Sequence, residues 1–570
     1  MNEHNWNLKD LYQNDDELST SIKETLKKAN EFNITYKGKL GNISSIESIV
    51  SEYEDILEAI SKAVTYAFLK FAVDSNEGAF YAKAEKDYTK VVEELLFFEN
   101  EFTKLDDASD LANSSEKYKY YLDNLLLHKK YQLTTNEEKI MLKKSMTSSS
   151  AFSRLFDEIF SDLKFEFDGK SLGEEEVLSK LHSDNRDTRK KANASLAKVL
   201  NKNSKVLKYI FNMIKADLKT NSEIRGYENV ETSRHISNQI SQQSVDALIN
   251  TTNKNFDISI KYYEIKNKIL GYDKLYDYDR YAPIVSEGKE YTYEESRKIV
   301  LNAFKSFDNE MYEIALKAID EGWCDVYPKE SKRGGAFSHP ATTDTHPYVL
   351  LNHTDGRRDL FTLAHELGHA IHQYLSRQVG YLNSDTPLTT SESASVFAEM
   401  LVFDYLIQNS DDTEELKSLY AGKLEDIFAT LFRQIIFTNF ERDVHSHDGE
   451  LEVEDLCKYW KDENQKMFGD SLELTDEYSI FWSYIPHFIH SPFYCYAYSY
   501  GQLLVLTLYG LYKSEHKDFI PKYKKFLSSG GSDSPKKLLE SFGLDIDDGE
   551  FWQIGINEAK KILTKFEKLV

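Results

Sequence analysis

The chain has 570 residues, of which 41% are hydrophobic, and it carries 70 basic and 95 acidic side chains for a formal net charge of −25. This hydrophobic content excludes global disorder, and the acidic balance argues against a phosphate-binding surface, so we expect no nucleic-acid partner. A chain of this length can bury one large core or form roughly two to four ordinary domains.

The first residues, 1–8, are polar and contain no apolar core, so no secretory signal is visible. The longest apolar run, near residues 503–512, is shorter than the roughly 20 residues that span a bilayer, and we expect no membrane association. Cys324, Cys457 and Cys495 are far apart and odd in number, so they cannot form a disulfide framework. These features predict a globular cytoplasmic protein.

The first 282 residues contain no proline, and their apolar residues recur at three- and four-residue spacings. Such spacing forms an apolar stripe along one face of a helix, and proline would interrupt a helix at a cost of about 3 kcal/mol. The pattern predicts helices that include residues 46–68 and 91–105. A polar stretch at 201–204 suggests a boundary between an N-terminal helical lobe, residues 1–200, and a second domain, residues 201–570.

All nine prolines lie at or after Pro283, and the sequence changes in character near residue 334. Turn-forming residues there surround a β-prone core at 348–351, which predicts a small hairpin or sheet. Ser491-Pro492 and Ser534-Pro535 each resemble a helix N-cap followed by proline at the first helical position. The predicted fold is mainly α with one small sheet.

An HExxH motif lies at residues 365–369, in a segment rich in helix formers. On a helix, the four-residue spacing places His365 and His369 on one face, where both imidazoles can bind one metal ion. Glu366 lies beside that face and can take a proton from a water molecule on the metal. The motif predicts one Zn²⁺ per chain.

The third metal ligand has to come from outside this motif. A histidine six residues after His369 would complete one zinc pattern, but that position is Leu375. Another pattern takes a glutamate from a downstream helix, and Glu392, Ser395 and Glu399 would share one face of such a helix. Glu392 is the predicted third ligand, and Glu399 is expected to hold a ligand imidazole by its other nitrogen. Cobalt or manganese would also fit these ligands.

With these motifs, the sequence resembles the thimet oligopeptidase and oligoendopeptidase F family of zinc endopeptidases, and the oligoendopeptidase F branch in particular. The resemblance includes HELGH, ESASVFAE, the opening WNLKDLY and the segment IPHFIHSPFYCYAYSYGQLL, and so spans most of the chain. It implies two helical lobes that enclose a deep substrate channel, with a small sheet beside the HExxH helix. It also implies His365, His369 and Glu392 as zinc ligands, Glu366 as general base, and residues 201–570 as the catalytic domain.

Residues 484–500 are rich in histidine and tyrosine, with four tyrosines between positions 494 and 500. The resemblance implies that a histidine and tyrosines in this segment stabilise the oxyanion, a task that suits hydrogen-bond donors. The spacing suggests His487 with Tyr494 and Tyr498, although His490 is an alternative to His487. Aromatic core packing is the other interpretation of this segment.

The predicted function is therefore that of a zinc-dependent oligoendopeptidase, which hydrolyses internal bonds of short unstructured peptides. The β-prone segment 348–351 would pair with the extended backbone of the substrate. A zinc carboxypeptidase with a similar site and a non-catalytic peptide-binding scaffold are the alternatives. The sequence indicates neither the oligomeric state nor the peptide preference.

Overall fold

The computed structural model describes residues 4–43, 45–284 and 289–570, and this part of the chain is mainly helical. It divides into two compact units, each built from three separate segments. Unit 1 comprises Met1–Lys130, Lys289–Asn409 and Tyr512–Leu544. Unit 2 comprises Tyr131–Gly288, Ser410–Leu511 and Asp545–Val570. Neither unit is a continuous half of the sequence.

The suggested division between residues 200 and 201 does not coincide with these units. Leu200 lies inside the 40-residue helix Arg186–Arg225, and the polar residues 201–204 are on the exposed and half-buried side of that helix. A long helix needs polar residues on its outer face, so their composition alone does not mark a boundary. The division at residue 200 stays a prediction.

Unit 1 is built mainly from helices of both halves of the sequence. Its α-helices are Asp15–Tyr36, Glu47–Val73, Gly78–Leu95, Phe97–Phe102, Ala108–Asn113, Lys119–Lys129, Tyr293–Phe307, Asn309–Asp320, Arg357–Ser376, Tyr381–Ser384, Leu388–Ser391, Ser395–Gln408, Phe519–Ser528 and Pro535–Leu539. Its 3-10 turns are Leu8–Asp10, Leu40–Asn42, Ser75–Glu77, Arg377–Val379 and Glu540–Phe542.

The predicted helix over residues 46–68 is confirmed as Glu47–Val73, with its apolar stripe buried. The helical stripe over 91–105 is divided between Gly78–Leu95 and Phe97–Phe102. Leu96, at the break, is 55% exposed, and the adjacent Phe97 and Phe98 are both buried.

A three-stranded sheet in unit 1 confirms the prediction of a small sheet around residues 348–351. Tyr348–Leu350 is its central strand, parallel to Cys324–Asp325 and antiparallel to Phe337–His339, and the sheet packs on helix Arg357–Ser376. Both edges of the central strand are already paired, so the prediction that this strand pairs with a substrate is wrong. Phe337–His339 is the edge strand next to the HExxH helix.

The N-terminal segment is attached to this sheet. The Val326 N–H donates to the His4 carbonyl at 3.0 Å, and the buried Trp6 ring lies edge-to-face on Tyr348 with centroids 6.0 Å apart. The first helices and the sheet therefore share one hydrophobic core. This contact explains why the first 130 residues belong to the same compact unit as the HExxH helix.

Unit 2 contains the remaining helices. Its α-helices are Thr135–Ser145, Ser149–Asp162, Glu174–Ser179, Arg186–Arg225, Thr232–Ser237, Gln242–Asn253, Asp257–Leu270, Thr413–Ile427, Arg433–Ser446, Val453–Phe468, His487–His490, Gly549–Glu567 and Tyr496–Lys513, which ends just beyond the unit. A π-helical turn covers Phe428–Phe432, and 3-10 segments cover Lys180–His182, Asp277–Asp279 and Asp476–Tyr484.

Unit 2 also contains a small hairpin that was not predicted. Strands Phe165–Phe167 and Lys170–Leu172 pair antiparallel within the proline-free part of the chain. Asp168 and Gly169 between them both have positive φ, 47° and 78°. An Asp-Gly pair between alternating apolar residues is a strong hairpin signal, and it would have predicted this turn.

Only one of the two predicted Ser-Pro helix starts is correct. Ser534 caps helix Pro535–Leu539, its Oγ accepting the Lys537 N–H at 3.4 Å. Beyond Ser491, the helix begins only at Tyr496, because Phe493 adopts a left-handed φ of 57°. The buried Glu441 carboxyl accepts the Phe493 N–H at 2.8 Å and stabilises this turn.

The longest apolar run lies in helix Tyr496–Lys513, whose apolar side chains are buried in the protein interior. In the part of the chain that the structure describes, no helix is both long enough and apolar enough to cross a membrane.

Candidate metal centre

Three predicted side chains meet in unit 1. The Nε2 atoms of His365 and His369, on helix Arg357–Ser376, each lie 3.4 Å from Oε2 of Glu392. The donor atoms are within 4.8 Å of one another, and among the described residues this is the one His, Cys, Asp or Glu group with such spacing. Two imidazole nitrogens and a carboxylate match the three-ligand sites that hold catalytic zinc and leave a fourth position open.

The ligand helix is fixed at its start and along its inner face. The Asp359 carboxylate accepts the N–H groups of Thr354 and Gly356 at 2.8 and 3.0 Å. Leu363 and Leu367 are fully buried on the apolar side. The helix therefore holds its two histidines on a rigid element.

Glu392 lies in a turn and not, as predicted, within a helix. The turn joins helix Leu388–Ser391 to helix Ser395–Gln408. The Ser395 hydroxyl donates to Glu392 Oε2 at 2.6 Å, and the Val396 N–H donates to the Glu392 carbonyl at 3.2 Å. The first turn of the following helix therefore orients this carboxylate.

Gly368, next to His369, permits the close approach of the Glu392 turn. A Cβ at this position would lie only 2.6 Å from the Ala394 carbonyl oxygen and the Ser395 Cα. Backbone atoms cannot move aside without shifting the turn, so the site needs glycine here.

Glu399 contacts the other nitrogen of a ligand histidine, with Oε1 lying 2.7 Å from Nδ1 of His365. Burial would lower the pKa of His365, but this hydrogen bond and the carboxylates of Glu399, Glu392 and Glu366 outweigh burial and raise it to about 9. Because Nδ1–H donates to Glu399, the Nε2 atom is the one directed at a metal. For Glu392, burial raises the pKa, but the hydrogen bond from His369 and the histidine charges lower it to about 2.

Glu366 is buried beside the ligand group, with 7% of its surface exposed. Burial raises its pKa, as do the nearby carboxylates of Glu392 and Glu399, while His365 and His369 lower it. A carboxylate with a raised pKa is a better proton acceptor, which suits a general base.

A cavity of about 850 Å³ in unit 1 opens onto Glu366 and the two ligand histidines. Its wall includes the edge strand Phe337–His339, together with Ser61, Thr65 and Tyr88 from the N-terminal helices. These N-terminal wall residues were not predicted, and no local signal identifies them, because only tertiary packing brings them to the cavity.

Gln373 connects the ligand helix to the edge strand. It lies one turn after His369, and its Oε1 accepts the Ser338 hydroxyl at 2.7 Å. Its Nε2 donates to the Ser338 carbonyl at 3.1 Å. This pair of bonds fixes the position of the edge strand relative to the two histidines.

Two further histidines on the cavity wall are neutral. Burial lowers the pKa of His339 and of His372 to about 4. His339 Nδ1 accepts the Ala341 N–H at 3.0 Å, and His372 bonds with the backbone of Ser391, ahead of Glu392. His372 is therefore a neighbour of the donor group and not a member of it.

The second predicted group of residues comes together in unit 2. His487 Nε2 lies 3.2 Å from the Tyr498 hydroxyl, and the Tyr494 ring is stacked on the imidazole with centroids 6.0 Å apart. Burial lowers the pKa of His487, with smaller contributions from His490 and Arg433. A neutral imidazole and two phenols thus form one cluster, in which Tyr498 is 41% exposed.

The other tyrosines of this segment belong to the core. The Tyr496 hydroxyl bonds to His235 Nδ1 and to Asn238 Nδ2 at 2.8 and 2.9 Å, and the Tyr500 hydroxyl bonds to Ser244 at 3.0 Å. Core packing therefore accounts for Tyr496 and Tyr500, while the oxyanion role of Tyr494 and Tyr498 stays a prediction.

His490 faces away from the tyrosine cluster. Its Nε2 lies 2.9 Å from Asp157 Oδ1, and its ring packs edge-to-face on Phe156. Of the two candidate histidines, His487 is the one that contacts Tyr494 and Tyr498.

Two protein-family models match the chain. A family model described as peptidase family M3 matches residues 179–558, and one described as oligopeptidase F matches residues 103–165. An oligoendopeptidase F homolog of Borreliella burgdorferi is 30% identical over 99% of this chain and 98% of its own length. Oligopeptidase PepF of Bacillus subtilis is 28% identical over 100% of this chain and 87% of its own length.

Solved structures show the same fold. A putative peptidase from Chlamydophila abortus superposes with a TM-score of 0.90 at 25% identity, covering 100% of this chain and 98% of that one. Oligoendopeptidase-F from Enterococcus faecium has a TM-score of 0.69 at 22% identity, covering 98% and 99%.

Proposed function

We propose, from the premise that the chain belongs to peptidase family M3 and is a metalloendopeptidase of the oligoendopeptidase F branch, that it is a zinc-dependent enzyme cleaving internal bonds of short unstructured peptides. The observation that carries the proposal is the convergence of His365, His369 and Glu392 on one point beside the buried Glu366. This set of donors suits one zinc ion per chain.

The ligand residues have separate tasks in this proposal. His365, His369 and Glu392 would hold the zinc, with Glu399 keeping His365 in the required orientation. Zinc, when bound, supplies a Lewis acid that polarises the scissile carbonyl and makes water more acidic. Edge strand Phe337–His339, which borders the cavity, can add the extended substrate as a further strand.

Glu366 would move the proton. Its carboxylate accepts a proton from the attacking water and returns that proton to the nitrogen of the leaving amine. Burial favours this role, because the raised pKa of Glu366 brings its proton affinity nearer to that needed for both steps.

The cluster in unit 2 would stabilise the negative charge that develops on the carbonyl oxygen. Tyr498 offers a phenolic O–H, His487 offers an N–H, and Tyr494 stacks on the imidazole and orients it. Neutral donors of this kind favour the oxyanion over the ground-state carbonyl.

We also infer that the protein works in the cytoplasm. Cys324, Cys457 and Cys495 are all unpaired, and Cys324 and Cys495 are buried. Free thiols in these positions suit a reducing compartment.

The experiment that tests the proposed mechanism is Glu366→Gln. The variant should retain about one zinc per chain but lose roughly 10³-fold or more in kcat on a quenched peptide, because the amide cannot accept the proton. Zinc content is measured by mass spectrometry of the purified protein. Glu31→Gln, at an exposed position of unit 1, is the matched control, and a Glu366→Gln variant as active as this control would refute the role.

Product mapping tests the bond selectivity. Internal cuts in peptides of about ten residues are expected, whereas stepwise loss of C-terminal residues would favour the zinc carboxypeptidase. Purified protein without zinc and without cleavage of any peptide in a mixed library would favour the peptide-binding scaffold.

A further inference from the structure

Two neighbouring arginines of unit 2, which both contact Tyr281, have no acidic partner among the described residues. Arg280 is 6% exposed and Arg433 is half-buried. Within residues 4–43, 45–284 and 289–570, no carboxylate forms an ion pair with either guanidinium, and each Nε is buried without a hydrogen-bond partner. Burying a charge is costly unless it is paired, so such a pair of cations calls for an anion.

Tyrosines surround both guanidinium groups. Arg433 donates from Nη1 to the Tyr281 hydroxyl at 2.6 Å and from Nη2 to the Tyr484 hydroxyl at 3.4 Å. Arg280 donates to the Tyr478 hydroxyl at 2.6 Å and lies over the Tyr281 ring at 4.6 Å. These phenols accept hydrogen bonds, but they do not form ion pairs with the two guanidinium groups.

The acidic groups near this pair are bound to other residues. The Asp279 carboxylate pairs with Arg189 at 2.9 Å and also with Arg186. Glu425 pairs with Lys266 at 2.7 Å. Asp277, which is buried, accepts the Thr475 N–H through Oδ1 at 2.9 Å; its carboxylate attracts Arg280 but forms no ion pair with it.

The outer side of the arginine pair remains accessible. Arg433, Tyr281 and Tyr484 are each partly exposed, whereas Arg280 lies behind them. Burial would raise the pKa of Tyr281, but Arg280 and Arg433 outweigh it and lower the pKa. The positive potential is thus strong at the point where Arg433 and the two hydroxyls meet.

The pair is also close to the proposed oxyanion donors. Tyr484 precedes His487 by three residues, so their Cα atoms are at most about 11 Å apart. The charge of Arg433 contributes to lowering the pKa of His487. A substrate residue spans about 3.5 Å when extended, so a group bound here would lie a few residues from the scissile bond.

We propose that Arg433, together with the hydroxyls of Tyr281 and Tyr484, binds a carboxylate of the peptide substrate, with Arg280 reinforcing the positive potential from behind. The inference rests on the proposed peptidase function and adds to it a preference for peptides with a carboxylate at a fixed distance from the cut. The fork of donors on a guanidinium matches a carboxylate in geometry as well as in charge.

The test compares kcat/KM for three quenched peptides. Two share one sequence and end in a free C-terminal acid or a C-terminal amide. The third is the amide with its last residue replaced by glutamate. Wild type should prefer the acid to the amide by roughly tenfold or more. Arg433→Met should bring that ratio close to one, and Arg433→Lys should keep part of it. Arg154→Met, an exposed arginine of the same unit, should keep the wild-type ratio.

The outcomes separate this inference from the proposed function. If wild type cleaves acid and amide equally, or if Arg433→Met keeps the preference, the carboxylate site is refuted while the peptidase function stands. If wild type cleaves none of the peptides, the proposed function itself fails. Activity on the glutamate-ended amide equal to that on the acid would identify a side-chain carboxylate as the bound group.

If Arg433→Met does not fold, inhibition measurements on wild type and on Tyr484→Phe test the proposal instead. N-acetylated dipeptide acids should inhibit wild type at least several-fold better than their amides, and Tyr484→Phe should reduce that difference. Equal inhibition by acids and amides would overturn the proposal.

Discussion

The donor group of unit 1 and the histidine–tyrosine cluster of unit 2 are held in place by different means. His365, His369 and Glu392 lie on or beside one helix, and Glu399 and Ser395 orient them through bonds of 2.7 and 2.6 Å. His487 and Tyr498 are joined by a 3.2 Å contact and by edge-to-face rings, on a segment interrupted by a left-handed turn.

This difference explains why the metal ligands follow a sequence motif with fixed spacing, whereas the histidine–tyrosine cluster does not. Metal ligands need a fixed separation, and two of them obtain it from the 3.6-residue period of one helix. Donors to an oxyanion need only to point at the developing charge, so their spacing along the chain varies with the turn that carries them. The predictions below test how independent the two groups are.

Removing the phenolic hydroxyl of Tyr498 should slow catalysis without disturbing the donor group. Tyr498→Phe is expected to lower kcat by roughly 10²-fold or more, as loss of one oxyanion donor does elsewhere, with zinc content unchanged. The two quantities to measure are kcat and the zinc content per chain. Tyr496→Phe, in the core of the same segment, should lower Tm and leave kcat near that of wild type. Zinc loss in Tyr498→Phe would show that the groups are not independent.

The pH dependence of zinc binding should reflect the donor group alone. The pKa of His365 is raised from 6.5 to about 9 in the metal-free fold. Zinc needs the neutral imidazole, so its affinity should rise roughly tenfold per pH unit from 6.5 to 9 and level off above 9. Competition with a fluorescent chelator across this range measures the slope, and a flat profile would contradict the raised pKa.

The same shift predicts how the stability of the metal-free protein depends on pH. Because the folded pKa of His365 exceeds its unfolded value, the stabilisation is complete below pH 6.5 and is lost as pH rises through about 9. The expected loss is at most about 3 kcal/mol, measured by urea unfolding at pH 6.5 and 9.5. The zinc-bound protein should show a smaller loss, since the metal replaces the proton.

Glu399 variants should weaken zinc binding by a smaller factor. Glu399→Gln is expected to weaken it roughly tenfold and Glu399→Ala up to about 100-fold, because His365 loses its orienting partner. Binding is measured at pH 9.5, where the proton no longer competes with zinc. Glu31→Gln serves again as control, and wild-type affinity in Glu399→Ala would exclude the orienting role.

Two glycine substitutions give the smallest and most contrasting effects. Gly368→Ala in unit 1 places a Cβ against backbone and should cost about 1–3 kcal/mol, with weaker zinc binding. Gly422→Ala in unit 2 lies within helix Thr413–Ile427 in open space and should stabilise by about 0.5–1 kcal/mol. Thermal unfolding with and without zinc measures both, and equal Tm shifts would contradict the close approach at Gly368.

The sequence predicted helices and the small sheet correctly where one local pattern of residues dominates. The stripe at residues 46–68 predicted a helix, and the turn-rich segment near 348–351 predicted a sheet. The helix expected at Glu392 and the start expected at Ser491 were wrong. In both places a turn is stabilised by contacts with distant or later residues, such as the Glu441 carboxyl at Phe493, which local propensity does not contain.

The sequence by itself determined the residue types and spacing of the proposed metal site, since HExxH on a helix fixes the relation of its two histidines whatever surrounds it. Tertiary structure decided the rest: which carboxylates reach the histidines, which tyrosines join His487, and that helix Glu47–Val73 lines the cavity. It also brought Arg280 and Arg433 together from positions far apart in the chain. The physical reason is that helix periodicity is a local property, whereas burial and charge pairing depend on segments that meet only in the folded protein.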